Sequence, residues 1–137
     1  MAESYNLILK SEFSETEKVL SFVEKISMEE QLCEALQERV KLAVSEAATN
    51  AIVHGNRENI QKKVAIRISV DRNRVLVEVQ DEGDGFSPNE IPDPIDSDNL
   101  LRPGGRGIFL IREYCDGVRF ADRGRCVILR FERGKKD

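Results

Sequence analysis

The sequence predicts an α+β fold, a two-layer sandwich in which helices pack on one face of a mainly antiparallel, mixed β-sheet. Apolar residues recur at helical spacing in the first 55 residues, and two pairs of segments with alternating apolar residues follow. The elements run in the order strand, helix, helix, strand, strand, long loop, helix, strand, strand. With 137 residues, 40% of them hydrophobic, the chain is predicted to form one domain over residues 1–137.

The N-terminal elements are predicted from alternation and from capping sequences. Residues 5–10 alternate as a short strand. Ser14 begins a capping box, which predicts a helix that ends near Ile26. A second box over residues 27–30 predicts the start of a longer helix, whose apolar residues recur at spacings of three and four until Gly55.

Two hairpins and a long loop make up the remainder of the chain. The strands have alternating apolar residues and are predicted over residues 64–70, 75–79, 117–120 and 126–131. Between the hairpins, residues 81–107 contain all four prolines of the chain. A loop this long inside a compact domain is usually functional or mobile. A short helix over residues 108–115 leads back to the last two strands.

Composition and charge exclude several classes of protein. The formal net charge is −4, so nucleic acid is not an expected partner, although residues 101–137 carry ten basic and five acidic side chains. The chain has no apolar run of the roughly 18 residues that a membrane span needs, and it begins without the features of a signal peptide. We therefore expect a cytoplasmic protein that does not enter a membrane.

The number and spacing of the cysteines, together with the single histidine, argue against disulfide bonds and against a zinc site. Cys33, Cys115 and Cys126 are odd in number and far apart, and the chain has one histidine. This pattern fits neither a disulfide framework nor a zinc site. The cysteines are therefore predicted to be small core residues.

Glu46 and Asn50 form the first candidate site, near the end of the long helix. They are four residues apart and therefore project from one face, about 6 Å apart along the helix axis. The rest of this face consists of alanines, which leave room for a ligand. A carboxylate beside a carboxamide oxygen suits a hard cation and a proton acceptor, although such residues on a helix more often simply face solvent.

Asp81, Gly83 and Gly85 form the second candidate site, directly after a strand. The glycines let the backbone approach a flat ligand, and an aspartate at a strand end can accept a hydrogen bond from an exocyclic amine. An acidic turn without a ligand is the alternative. The closing glutamate of a calcium loop is missing, which excludes that kind of site.

Gly104, Gly105, Arg106 and Gly107 form the third candidate site, immediately before the helix predicted to begin at Ile108. Backbone amides at a helix N-terminus, together with the helix dipole, bind phosphate. The spacing is not that of a P-loop, because no Gly-Lys-Ser/Thr sequence follows. A glycine-rich hinge without a ligand is the alternative.

The three candidate sites together are the parts of an ATP site. Residues 46–50, 81–85 and 105–107 resemble the N, G1 and G2 boxes of the ATPase superfamily shared by gyrase, mismatch-repair ATPases and histidine kinases. Within it, residues 44–55 and 105–111 and the small domain are similar to the bacterial anti-sigma factor serine kinases of sporulation and stress response. The resemblance covers nearly the whole chain and implies the histidine-kinase-like ATPase fold.

The resemblance implies a role for each matched residue, with ATP and Mg²⁺ as cofactors. Glu46 would be the general base that takes the proton of a serine hydroxyl, and Asn50 would hold Mg²⁺. Asp81 would accept a hydrogen bond from the adenine amine, while Gly83 and Gly85 would leave room for the base and the sugar.

Other residues complete the implied site. Residues 87–103 would form a lid, and the glycine-rich third site would bind the phosphates, with Arg106 a better candidate than Arg102 to neutralise their charge. His54 also fits the family pattern and would reach the phosphates. A helix-end histidine that binds the last helical carbonyls is the alternative for His54.

One position departs from the superfamily pattern. Members often carry a Gly-Thr pair on the final strand, whose hydroxyl supports the adenine-binding aspartate, whereas here Gly124 is followed by Arg125 and Cys126. A thiol is a weak donor. We therefore expect water or another group to hold Asp81, and a softer selectivity for adenine.

The resemblance implies an ATP-dependent serine/threonine protein kinase that is also an anti-sigma factor. Such a protein binds a sigma factor, phosphorylates an anti-sigma-factor antagonist of the STAS type and forms a homodimer, whose contact we expect at the edge near residues 5–10 and the following helix. The alternative is a nucleotide-gated binding module without kinase turnover. A detached histidine-kinase catalytic domain is disfavoured, because the only histidine follows the N box.

Overall fold

A computed structural model describes residues 3–83 and 111–134 of the chain. In these ranges the helices and strands are β1 (Glu3–Lys10), α1 (Glu17–Glu30), α2 (Glu34–Asn50), β2 (Lys63–Val70), β3 (Arg74–Gln80), β4 (Gly117–Ala121) and β5 (Cys126–Glu132). Residues 111–114 are helical as well. No helix within these ranges is long and apolar enough to span a membrane.

The five strands form one sheet in the order β1-β2-β3-β5-β4. Each strand pairing in the described part of the chain is antiparallel. One row of paired residues crosses the whole sheet and consists of Tyr5, Ile68, Val77, Leu129 and Val118. The two predicted hairpins are therefore confirmed, and β1 is an edge strand.

The core lies between one face of the sheet and the two long helices. β2 and β3 bury alternate residues, such as Ile66, Ile68 and Val77, as strands with one covered face do. α1 and α2 cover that face with their apolar stripes, which include Val23 and Val40. The predicted α+β sandwich is confirmed.

The end of α1 differs from the prediction. The helix does not end near Ile26 but continues to Glu30, and Ser27 is buried inside it instead of capping the next helix. The end is formed by Gln31 in the left-handed conformation, with the N–H of Leu32 donating to the carbonyl of Ser27 at 3.0 Å. The left-handed conformation of Gln31, and not a side-chain cap at Ser27, therefore marks this boundary.

The predicted capping residues do not begin the two helices. α2 begins at Glu34, where the Sγ of Cys33 accepts the N–H of Leu36 at 3.4 Å. Ser14 lies inside a 3₁₀ turn, Phe13–Thr16, and α1 follows this turn without a side-chain cap. Both capping boxes were therefore wrong as boundaries, although both helices exist.

Candidate functional site

The end of α2 and the end of β3 meet at two glycines. α2 continues beyond Asn50 as a π-helical turn, Ala51–Gly55, and π turns occur frequently at functional sites. A Cβ on Gly55 would lie 2.6 Å from Cγ of Asp81, and a Cβ on Gly83 would lie 2.7 Å from the carbonyl carbon of Gly55. Since only glycine fits at both positions, the π-helical turn that follows the predicted N box is in direct contact with the predicted G1 box.

Asp81 has one anchored oxygen and one available oxygen. Its Oδ1 accepts the N–H of Gly83 at 2.8 Å, which closes a tight turn, and its own N–H donates to the carbonyl of Arg125 at 2.8 Å. Oδ2 accepts no hydrogen bond from the described residues. Burial raises the pKa of Asp81, although the Gly83 N–H and the positive charge of Arg125 act in the opposite direction. Asp81 therefore offers a half-buried acceptor, as the second candidate site requires.

Arg125 takes the position at which the superfamily pattern has a threonine. Its Nε donates to the carbonyl of Gly83 at 2.8 Å, and its Nη1 lies 3.5 Å from Oδ1 of Asp122. The expectation that another group holds Asp81 is confirmed, because that group is the N–H of Gly83. The softer adenine selectivity stays a prediction.

Asn56 is a supporting residue that the sequence reasoning missed. It is 1% exposed, and its Nδ2 donates to Oγ of Ser11 at 2.9 Å and to the carbonyl of Lys63 at 3.0 Å. Its Oδ1 accepts the N–H of Glu82 at 2.7 Å. Asn56 thus joins the end of β1, the start of β2 and the turn that follows Asp81. Its position directly after the helix-ending glycine was the only local signal, and that position is also typical of an ordinary helix end.

Glu46 and Asn50 are half-buried on the last turns of α2. Neither side chain forms a hydrogen bond or an ion pair with the described residues. The neighbouring alanines do not line a ligand surface as predicted, because Ala43, Ala47 and Ala51 are 0%, 2% and 6% exposed and belong to the core. These small side chains instead let α2 pack closely on the sheet, while Glu46 and Asn50 keep their polar groups available.

His54 is the exposed residue of the π-helical turn, next to Gly55. Its side chain forms no hydrogen bond with another described residue, so the predicted alternative, a bond to the last helical carbonyls, is not observed. Several predicted site residues lie outside the described residues, namely Arg102, the predicted lid, Gly85, Gly104, Gly105, Arg106 and Gly107.

The cysteines lie at or beside the core: Cys126 is buried, and Cys33 and Cys115 are partly buried against it. No disulfide joins Cys33, Cys115 and Cys126. Burial raises the pKa of Cys115 to about 12 and also raises the pKa of Cys126, so these thiols stay protonated and unreactive. Within residues 3–83 and 111–134, no group of three His, Cys, Asp or Glu side chains could hold a metal ion.

A family model decides where this chain belongs. The model is described as "Histidine kinase-like ATPase domain" and matches residues 9–131. The chain belongs to this family. The resemblance inferred from the N, G1 and G2 boxes is confirmed.

Individual members of this ATPase family are similar over part of their length. The chain is 38% identical over 88 residues to "Serine-protein kinase RsbW" of Bacillus subtilis (strain 168), which covers 60% of this chain and 55% of that protein. It is 30% identical over 98 residues to the RsbW of Oceanobacillus iheyensis, a match that covers 67% of this chain and 62% of that protein. It is 35% identical over 81 residues to "Anti-sigma F factor" of Bacillus subtilis (strain 168), a match that covers 58% of this chain and 56% of that protein. The similarity thus spans little more than half of each relative.

The contact between Gly55, Asp81 and Gly83 offers an acceptor of the kind that an adenine amine needs. The two glycines let the π-helical turn and the turn after β3 approach each other around the Asp81 carboxylate, where any larger side chain would clash. Oδ2 of Asp81 can accept a hydrogen bond from an amine, because Oδ1 is the oxygen that binds the N–H of Gly83. The side-chain oxygen of Asn50 suits Mg²⁺, which in nucleotide sites takes few protein ligands and is completed by phosphates and water.

We expect Asn56→Ala to destabilise the protein by about 3 kcal/mol, because the N–H of Glu82 and the carbonyl of Lys63 would lose their partner in a buried place. The free energy of unfolding in urea measures this loss. The matched control is Asn59→Ala, since Asn59 is exposed and its side chain, among the described residues, only accepts the N–H of Gln61. The effect of this variant should stay below about 0.5 kcal/mol. Equal stabilities of the two variants would contradict the role given to Asn56.

Proposed function

We propose that this chain is an ATP-dependent serine/threonine protein kinase that also acts as an anti-sigma factor. The observation that carries the proposal is the contact between Gly55, Asp81 and Gly83, beside the helix that carries Glu46 and Asn50. The names of the relatives, serine-protein kinase and anti-sigma F factor, support the same function.

The proposed nucleotide site uses the available oxygen of Asp81 and the two glycines. Oδ2 accepts a hydrogen bond from the adenine amine, while Oδ1 stays with the N–H of Gly83. Asn50 holds Mg²⁺ through its side-chain oxygen, and the ion, when bound, neutralises charge on the phosphates. The remaining residues keep the roles that the resemblance implies. Gly85 leaves room for the base and the sugar, and the phosphates are bound by His54, Gly104, Gly105, Arg106 and Gly107.

Glu46 is the proposed general base. Its carboxylate forms no ion pair with the described residues, so it is available to accept the proton of a serine hydroxyl. The serine oxygen bonds to the γ-phosphorus as the bond from that phosphorus to the β–γ bridging oxygen breaks. The products are phosphoserine and ADP, and the proton remains on Glu46 until it passes to solvent.

The proposed partners are a sigma factor, an antagonist of the STAS type and a second copy of this chain, all in the cytoplasm. β1 supports the dimer contact, because it is an edge strand and bears Ile8, which is 56% exposed. Phe13 and Leu20, which follow β1, are 60% and 43% exposed. Exposed apolar side chains beside an unpaired edge are typical of an interface between copies.

Co-purification in two nucleotide states tests the proposed function. The tagged chain is recovered from its native lysate with Mg·ATP and, in parallel, with Mg·ADP, and mass spectrometry identifies the bound chains and any phosphoserine. We expect a sigma factor in the ATP sample, and a small antagonist that becomes phosphorylated on serine or threonine. Bound nucleotide with neither partner and no phosphorylation would instead support the nucleotide-gated module.

A further inference from the structure

Arg125 binds both ends of the turn that carries Asp81. Its Nε donates to the carbonyl of Gly83 at 2.8 Å, and its own carbonyl accepts the N–H of Asp81 at 2.8 Å. Its side chain is 29% exposed, so these contacts are partly shielded from water. The hydrogen bond from the charged guanidinium is of the stronger kind.

A second group of contacts ties Arg125 to the end of β3. Its Nη1 lies 3.5 Å from Oδ1 of Asp122, and Oδ2 of Asp122 accepts Nε2 of Gln80 at 2.9 Å. Nε2 of Gln80 also donates to the carbonyl of Asp81 at 3.2 Å. The chain between β4 and β5 reaches this arrangement through three left-handed residues, Asp122, Arg123 and Gly124, whose φ angles are 50°, 58° and 85°. This tight connection positions the guanidinium over the turn.

The charge of Arg125 acts on Asp81 as well. Among the described charged side chains that act on the carboxylate, Arg125 and Lys62 favour its ionised form, and Asp122 disfavours it. Burial disfavours the ionised form most strongly. A protonated carboxyl carries a donor on one of its oxygens, whereas a carboxylate accepts at both. A positive charge nearby favours the carboxylate and so keeps Oδ2 of Asp81 an acceptor while Oδ1 stays with the N–H of Gly83.

We propose that Arg125 is a positioning residue for adenine recognition, which fixes the turn from Asp81 to Gly83 and keeps Asp81 an acceptor. The inference rests on the proposed ATP site. A softer selectivity for adenine would follow if nothing replaced the missing threonine hydroxyl. Because Arg125 holds the turn from the same position, the preference for adenine that the wild-type chain retains should depend on Arg125.

Binding of Mg·ATP and Mg·GTP to Arg125→Ala and Arg125→Lys tests the inference. Isothermal titration calorimetry should show ATP binding weakened about tenfold in Arg125→Ala, with a smaller change for GTP. The matched control is Arg119→Ala, since Arg119 is exposed on the neighbouring strand β4 and should leave both affinities unchanged. Melting temperatures near that of the wild type show that the variants are folded.

The pH profile separates positioning from general loss of structure. In Arg125→Ala, ATP affinity should begin to fall at a higher pH on acidification than in the wild type, because Asp81 loses a favourable charge. Arg125→Lys should restore the wild-type profile but not the full affinity, since it keeps the charge and loses the Nε contact. Groups that are the same in every variant contribute equally to each profile, so the difference between variants reports Asp81.

Amide hydrogen exchange of the nucleotide-free protein keeps this test separate from the proposed function. The N–H of Gly83, which is bonded to Asp81, should exchange faster in Arg125→Ala than in Arg119→Ala. If the wild type binds no ATP, the proposed function fails and this amide alone decides whether Arg125 holds the turn. The inference would be overturned if this amide exchanged in Arg125→Ala at the wild-type rate. It would also be overturned if Arg125→Ala bound ATP with the wild-type affinity and the wild-type pH profile.

Discussion

Asp81→Asn should weaken ATP binding by about 100-fold. The amide oxygen of the asparagine would keep the hydrogen bond with the N–H of Gly83, which forces its NH₂ group into the place of Oδ2. A donor would then face the amine of adenine, also a donor. Loss of a hydrogen bond to a charged group costs about 1.5–3 kcal/mol, and every 1.4 kcal/mol is tenfold in affinity.

The same substitution should change which base is preferred. The O6 of guanine is an acceptor, so the NH₂ group of Asp81→Asn should disfavour GTP less than ATP. Calorimetric titration with Mg·ATP and Mg·GTP measures both affinities. Glu82→Gln is the matched control, because it removes the same charge one residue away. Within the described part of the chain, the carboxylate of Glu82 accepts only the N–H of Lys63. Wild-type ATP affinity in Asp81→Asn would exclude Asp81 as the adenine acceptor.

Loss of ATP binding in Asp81→Asn should not be a loss of folding. Burial raises the pKa of Asp81 above its value in the unfolded chain, so this group contributes most stability at low pH and the contribution is lost as the pH rises through the raised pKa. At neutral pH the buried charge is therefore unfavourable, and a neutral amide should keep or slightly raise the melting temperature. A large fall in melting temperature would show a structural role instead.

Glu46→Gln should abolish phosphate transfer and leave nucleotide binding nearly unchanged. A positioned general base contributes about 10²–10⁴-fold to the rate, and glutamine cannot accept the proton. Because Glu46 forms no hydrogen bond or ion pair with the described residues, its replacement disturbs none of their contacts. The ATP affinity should change by no more than about twofold. The corresponding difference in binding free energy is smaller than that of one typical hydrogen bond.

The rate of γ-phosphate transfer from ATP to the serine of the antagonist, together with the ATP affinity, measures the effect of Glu46→Gln. Glu38→Gln is the matched control, since Glu38 lies on the same helix with its side chain 60% exposed. Wild-type transfer in Glu46→Gln would remove Glu46 as the base. Weak binding with unchanged turnover would place it in the nucleotide site instead.

The sheet could be predicted because its signals are local. Alternation over residues 64–70 and 75–79 describes strands with one buried face, and the structure buries Val64, Ile66 and Val77 as that pattern requires. The helices were predicted for the same reason, since their apolar spacing decides which face is buried.

The helix boundaries were not predictable from capping sequences alone. Ser27 has the sequence of an N-cap, yet it is 3% exposed inside α1, which continues to Glu30 and ends at the left-handed Gln31. The capping sequence did not indicate this backbone conformation.

The supporting residues of the site depend on contacts between distant parts of the chain. Asn56 binds Ser11, 45 residues away in sequence, and Arg125 binds Gly83, 42 residues away. No periodicity or spacing in the sequence predicts such pairs. Asp81 and Gly83, by contrast, belong to a compact motif and were predicted from it.

A crystal structure of the chain with Mg²⁺ and a non-hydrolysable ATP analogue tests the central claim most directly. The account predicts that the adenine amine lies about 3 Å from Oδ2 of Asp81 and that Mg²⁺ lies about 2.1 Å from the side-chain oxygen of Asn50. A nucleotide bound away from the junction of Gly55 and Gly83, or one whose amine faces away from Asp81, would contradict it.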